Sequence, residues 1–244
     1  MRRALMTLLL LLALPATATA TAAAAAPPTV KVLDCVPALD QGLRSATFEA
    51  RVRAARGSDR MQVRFALQVR ASEPLARWRR VVAPGFDQWL TSDAGVRRYT
   101  YDRTVQNLAA SASYRTVVRF RWLDDEGGAI KSAKVTSAAC RQPDMRPNLV
   151  PLRVDVAAAD AAGEPVRYLV TLRNAGRTDA GPFAVTLDPD LRADVLGLAA
   201  GETQVVEIAG PACVVGAPLA VTLDPDALVD ERVEDDNALA GSCP

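Results

Sequence analysis

Histidine is absent from all 244 residues. That absence excludes Ser-His-Asp and Cys-His catalysis, histidine metal centres and the commonest general base of enzyme sites. Carboxylate chemistry survives it, because paired Asp and Glu hydrolyse glycosides without an imidazole. Only four cysteines occur, and no two have the Cys-x-x-Cys spacing of a zinc site. Outside the N-terminus there is no apolar run near the about 20 residues that span a bilayer. No stretch keeps a 3.6-residue apolar period over the length that the period-2 segments reach.

What is present begins with Arg2 and Arg3, an almost wholly apolar Ala4 to Leu14, and small-x-small sites between Ala18 and Ala26. This is the pattern of a signal peptide over residues 1–26, too short for a membrane anchor. An exported chain with four cysteines is expected to hold two disulfides, for which three connectivities exist. The pairing that respects domain limits is Cys35–Cys140 and Cys213–Cys243, closing loops of 105 and 30 positions. Cys35 lies far beyond the apolar run, behind Val-Leu-Asp. A lipid anchor there is rejected.

Residues 27–143 read as a first β-sandwich. Phe48, Ala50 and Val52 alternate with Glu49, Arg51 and Arg53; Met61, Val63, Phe65, Leu67 and Val69 alternate with Gln62, Arg64, Gln68 and Arg70. Tyr114, Val118, Phe120 and Trp122 alternate with Arg115, Arg119 and Arg121. Such period-2 patterns, separated by Gly- and Asp-bearing turns, predict half-buried antiparallel strands. In an immunoglobulin-like topology the two arginine-bearing strands are neighbours. Arg64, Arg70, Arg115, Arg119 and Arg121 then share one sheet face, a candidate anion-binding surface. Trp78, Trp89 and Trp122 could form a carbohydrate platform, but core packing is the expectation.

Charge divides the chain. Residues 29–142 carry 20 Lys and Arg against 11 Asp and Glu, whereas residues 143–244 carry 7 against 17. The net charge of +1 hides a dipolar molecule. A basic half suits anionic polymers, and export with no recognition motif argues against nucleic acid. The plainer alternative is that the arginines only solvate outer strand faces, or dock the acidic half.

Arg141-Gln-Pro-Asp-Met-Arg-Pro147 reads as a short polar linker. After it come Pro147-Asn-Leu, Val170-Thr-Leu-Arg-Asn-Ala-Gly176, Ala180-Gly-Pro-Phe183 and Leu198-Ala-Ala-Gly-Glu202, closed by Asp224-Pro-Asp, Val229, Glu231, Glu234 and Asp236-Asn237. In this order the segments resemble the bacterial cell-adhesion-related domain, CARDB, over residues 147–244. The resemblance implies an immunoglobulin-like sandwich that binds or spaces outside the cell, not an enzyme. Leu108 six positions before Tyr114 resembles the tyrosine corner of fibronectin type III and immunoglobulin-like domains.

The seven residues Ala184–Asp190 recur letter for letter at Ala220–Asp226. As neighbouring antiparallel strands, the two copies send their Asp-Pro-Asp turns to opposite ends. The acidic segment near the C-terminus offers Asp224, Asp226, Asp230, Glu231 and Glu234 as weak calcium candidates. The plain alternative is that Asp226 and Glu231 cap a turn and guard the last strand.

The expectation is therefore an all-β chain with two immunoglobulin-like sandwiches in tandem after a signal peptide, the second over residues 144–244. Its expected role is secreted, non-catalytic and adhesive, with no cofactor and an extracellular protein or cell-surface polymer as partner. One alternative is electrostatic capture of anionic wall polymers or glycans; a more distant one is a carboxylate-based glycoside-acting enzyme.

Overall fold

The computed structural model describes residues 26–157, 165–187 and 190–244. Residues 1–25, where the signal peptide is expected, lie outside that description, as do Asp188 and Pro189 of the first repeat copy. Among the described residues every regular element is a strand except one 3-10 turn at Gln41–Leu43.

Strands β1 (Thr29–Val36), β2 (Ser45–Arg53) and β6 (Arg98–Gln106) form one antiparallel sheet in the order β1-β2-β6. Facing it is a sheet built on β3 (Arg60–Ala71) and β7 (Ala112–Leu123). It runs β4 (Arg79–Arg80), β3, β7, β8 (Ala129–Thr136), with β5 (Leu90–Thr91) also on β3 and β9 (Cys140–Gln142) also on β7. Alternation in the sequence becomes alternation in space because successive side chains of a strand point to opposite faces. Phe48, Met61, Val63, Phe65, Leu67, Val118 and Phe120 are sealed between the two sheets. Each full burial of such a side chain contributes about 1.5–3 kcal/mol. The Tyr114 hydroxyl accepts the Ala109 N–H at 3.0 Å, the contact to upstream backbone that defines a tyrosine corner.

The remaining strands repeat the plan. β10 (Leu149–Ala157), β11 (Val166–Asn174) and β14 (Thr203–Gly210) pair in the order β10-β11-β14. Against them lie β13 (Leu191–Val195), β12 (Phe183–Leu187), β15 (Pro218–Leu223) and β16 (Ala238–Ser242), in the order β13-β12-β15-β16. The two repeat copies are antiparallel neighbours, with Thr186 opposite Thr222. Leu149, Val170, Leu172, Val185, Leu187, Val221 and Leu223 fill a second core separate from the first.

Disulfides join Cys35 to Cys140 and Cys213 to Cys243. Two such bonds fit an oxidising environment. Among the described residues no helix is long and apolar enough to cross a membrane.

One expectation needs correction. The stretch read as a polar linker is held at both ends rather than hanging between two bodies: Arg141 and Gln142 belong to β9 and pair with Ser113 and Ala112, and its last residues are bound to the second sandwich. Arg177 N–H donates to the Arg146 carbonyl, Ala175 N–H to the Asn148 carbonyl and Arg232 N–H to the Pro147 carbonyl. Gly176 is required beneath this stretch, since a Cβ there would stand 2.4 Å from Pro147 Cα. Composition marked the stretch as polar and proline-bearing, but its backbone groups find partners about 30 and 85 residues away.

Candidate anion-binding face

The face originates in the longest strand pairing among the described residues. β3 and β7 are paired from Arg60–Leu123 to Ala71–Ala112, so every outward residue of one strand has an outward partner on the other. Arg64 stands opposite Arg119, which is in turn opposite Lys134 on β8. Arg121 is opposite Gln62, and Arg115 is opposite Gln68, with its Nε donating to Gln68 Oε1 at 2.9 Å. The structure thus brings Arg64, Arg70, Arg115, Arg119 and Arg121 onto one face. From Arg121 to Ser113, eight positions along β7, the face runs about 27 Å at about 3.4 Å per residue.

Like charges directly across a strand pair are destabilising, and tryptophan offsets this. Trp89 precedes β5, where Leu90 registers with Val63, and Trp78 precedes β4, where Arg79 registers with Val69. Both rings therefore fall on the arginine side of β3. The Arg64 and Arg121 guanidinium carbons lie 5.1 and 4.2 Å from the Trp89 ring centroid. Those of Arg70 and Arg115 lie 4.9 and 4.1 Å from that of Trp78. Each contact is worth roughly 0.5–1 kcal/mol at an exposed site, and each holds a guanidinium against a ring.

This overturns the expectation of core packing for two of the three tryptophans. Only Trp122 is a core residue, 2% exposed, with its indole N–H donating to the Arg53 carbonyl at 2.7 Å. Trp78 and Trp89 sit in turns beside two-residue strands, where no local alternation reveals which way a ring faces.

Sequence reasoning also missed Arg141. It was assigned to the linker, yet β9 sets it opposite Ser113 and hence on the side of Arg70. The available signal was its place directly after Cys140, a cysteine expected to be bonded to Cys35 and so held to the first sandwich.

Among the described residues, none of the five face arginines forms an ion pair, and no ion pair joins the first sandwich to the acidic half. Docking of the acidic half therefore does not account for the arginines. A planar guanidinium with several N–H donors forks onto a carboxylate or phosphate. Beside Arg119, Arg121 and Lys134 lies a shallow groove walled by Trp89 and floored by Ser132 and Ala133.

The acidic segment is built differently. Glu231 is fully buried. One carboxylate oxygen takes the Leu149 N–H at the start of β10, and the other takes the Asn237 side-chain amide at 2.7 Å. Burial pushes its carboxyl above the usual range, against the pull of these two donors. Asn148 donates from its side chain to Asp236 at 3.0 Å, and its own N–H reaches the Asn174 side chain at 3.1 Å. Asn174 in turn donates to the Thr178 and Leu198 carbonyls. The first strand of the second sandwich is thereby tied to its last connection.

Residues 146–241 match the CARDB family model. Within this CARDB segment the five candidate calcium ligands are each engaged elsewhere. Asp224 accepts the Leu228 and Val229 N–H groups, so it caps the turn in place of Asp226 and Glu231. Asp226 pairs with Arg192 at 2.6 Å, and Asp230 pairs with Arg146 at 2.7 Å. Glu234 receives the Glu231 N–H at 2.9 Å. Among the described residues no group of three or more His, Cys, Asp or Glu could hold a metal ion.

No curated protein matches the chain. Among solved structures, the crystal structure of red sea bream transglutaminase aligns with 88% of this chain at 13% identity and a TM-score of 0.30. This chain spans 31% of that one.

Proposed function

We propose that the protein is a non-catalytic binding protein of the cell exterior, holding anionic surface polymer on the outer face of its first sandwich while the CARDB segment spaces or contacts a partner. The observation that carries this reading is five arginines on one sheet face, four of them laid on tryptophan rings and none in an ion pair among the described residues. Side chains that served only solubility would gain little from being held against a ring. A matching CARDB model and two disulfides support an adhesive sandwich working outside a reducing compartment.

Exposed ion pairs contribute about 0–1 kcal/mol each, so affinity has to come from several contacts made together and should fall steeply with salt. The test is binding to an acidic polysaccharide at low and physiological salt, with Arg115, Arg119 and Arg121 all replaced by serine. Binding should weaken strongly. The variant should melt only slightly earlier, because two stacking contacts worth about 0.5–1 kcal/mol each are lost. Absence of binding by the unaltered protein at low salt, or full binding by the triple variant, refutes the proposal.

A further inference from the structure

The arginine face continues past the edge of its sheet. At the end where β3 and β9 approach the CARDB segment, a cleft of about 640 Å³ is lined by Arg70, Arg141 and Arg177, with Ser72, Ser113 and Leu75 among its other walls. The three cations come from unrelated places in the sequence. Arg70 is the penultimate residue of β3, Arg141 is central in β9, and Arg177 belongs to the turn after β11.

Each of these positions is rigidly held. Arg141 follows a disulfide-bonded cysteine and registers with Ser113. Arg177 follows Gly176, which is pressed on the Pro147 backbone, and its own N–H is bonded to the Arg146 carbonyl. Arg70 lies over the Trp78 ring. All three are exposed, and among the described residues none has an ion pair, although Glu73 lines the same cleft. Three like charges around one concavity raise the energy of the empty state and favour an anion within it.

The rim is apolar in part. Leu75 is 97% exposed at a φ of 69°, a left-handed conformation that is costly for a leucine, and Pro37 and Pro143 complete that side. Strain and apolar exposure of this kind concentrate at binding sites. The volume falls within the range of small-molecule sites.

We infer that this cleft binds an acidic sugar unit of a surface glycan, its carboxylate held by Arg70, Arg141 and Arg177 and its less polar edge set against Leu75 and the prolines. The inference deepens the proposed function and rests on it: the glycan lies along the sheet face, and one unit enters the cleft. Because Arg177 comes from the CARDB segment, the ligand then joins both halves of the chain.

The full chain is titrated with oligogalacturonate and, separately, with polyphosphate, followed by calorimetry and by tryptophan fluorescence, to which Trp78 beside Arg70 responds. The variants are R141S, R177S, the R115S/R119S/R121S triple and, as a remote control, R153S. R141S and R177S are each expected to weaken oligogalacturonate binding about five- to tenfold while R153S binds as the parent does. If R141S and R177S bind normally and the triple variant does not, the cleft is refuted and the face stands. If only the cleft variants lose binding, the cleft stands and the face is refuted. Tight polyphosphate binding without oligogalacturonate binding overturns the sugar assignment, and binding of neither overturns both. Should R177S fail to fold, R177K decides: it keeps the charge without the fork and should recover only part of the affinity.

Discussion

Replacing Glu231 by alanine should unfold the second sandwich well before the first. The carboxylate holds two donors, the Leu149 N–H and the Asn237 amide, from a fully buried position. A hydrogen bond to a charged group is worth about 1.5–3 kcal/mol, and a stranded buried donor costs about 1–3 kcal/mol. Offset by the carboxylate desolvation that is no longer required, the net loss should be about 2–4 kcal/mol. For a unit near 100 residues that lowers the melting temperature by roughly 10–25 °C. The chain carries its own control, since all three tryptophans lie in the first sandwich. Tryptophan fluorescence then reports only the first core, while calorimetry sees both. One calorimetric transition should drop while the fluorescence transition stays. Equal movement of both, or a loss below about 1 kcal/mol, refutes the role given to Glu231.

The pH dependence supplies a second readout on the same residue. Burial raises the Glu231 pKa in the folded state, so that state holds the proton more tightly. The group's contribution is complete below the ordinary carboxylate range, near 4.3, and is lost as pH climbs through the raised value. Glu231→Gln cannot ionise, so its stability relative to the parent should improve as pH rises from the ordinary carboxylate range through the raised value. A shift the other way means that the two donors outweigh burial. Asp144 acts in the opposite sense, because the Arg146 guanidinium holds its carboxyl low. It contributes stability above the ordinary aspartate value and loses it as pH falls through the lowered one, in parent and variant alike.

Other expectations follow from single contacts. Gly176→Ala would press a methyl group into the Pro147 backbone at 2.4 Å; overpacking of this kind costs about 1–3 kcal/mol. Calorimetry should place the loss in the second transition, and an unchanged transition would show that the linker stretch can move away. Opening the disulfides should destabilise the two cores separately. With sequence separations of 105 and 30, the chain-entropy model gives about 4.7 kcal/mol for Cys35–Cys140 and about 3.6 kcal/mol for Cys213–Cys243. Cys35→Ser with Cys140→Ser should move the fluorescence transition, and the Cys213/Cys243 pair should not. A common shift would join the two cores into one cooperative unit.

Much of the sandwich was legible because strand faces are a local property. Alternation of Arg64 with Phe65, or of Arg119 with Phe120, places charge and core on opposite sides without knowledge of the partner strand. The order of motifs from Pro147 to Asn237 was likewise readable, since turns and capped strands recur at set intervals along the chain. The repeat copies, as adjacent antiparallel strands, bring Asp224 beside Ala184 at the start of the first copy, which follows from strand direction alone.

What waited for the tertiary structure depends on register and on partners distant in sequence. Trp78 and Trp89 face the arginines because two-residue strands happen to pair with Val69 and Val63. Arg141 joins the face because β9 pairs with β7, and Arg177 reaches the same cleft only through a turn closed on the Arg146 carbonyl. Glu231 looked like a turn cap or a calcium ligand until its bond to Leu149, 82 residues earlier, was visible. The sequence by itself determined the all-β class, the inward and outward faces and the charge of each half, since period and composition are written locally. The tertiary structure decided which charges meet, which rings cover them and which carboxylate is buried, because those depend on where strands far apart in the chain come to lie side by side.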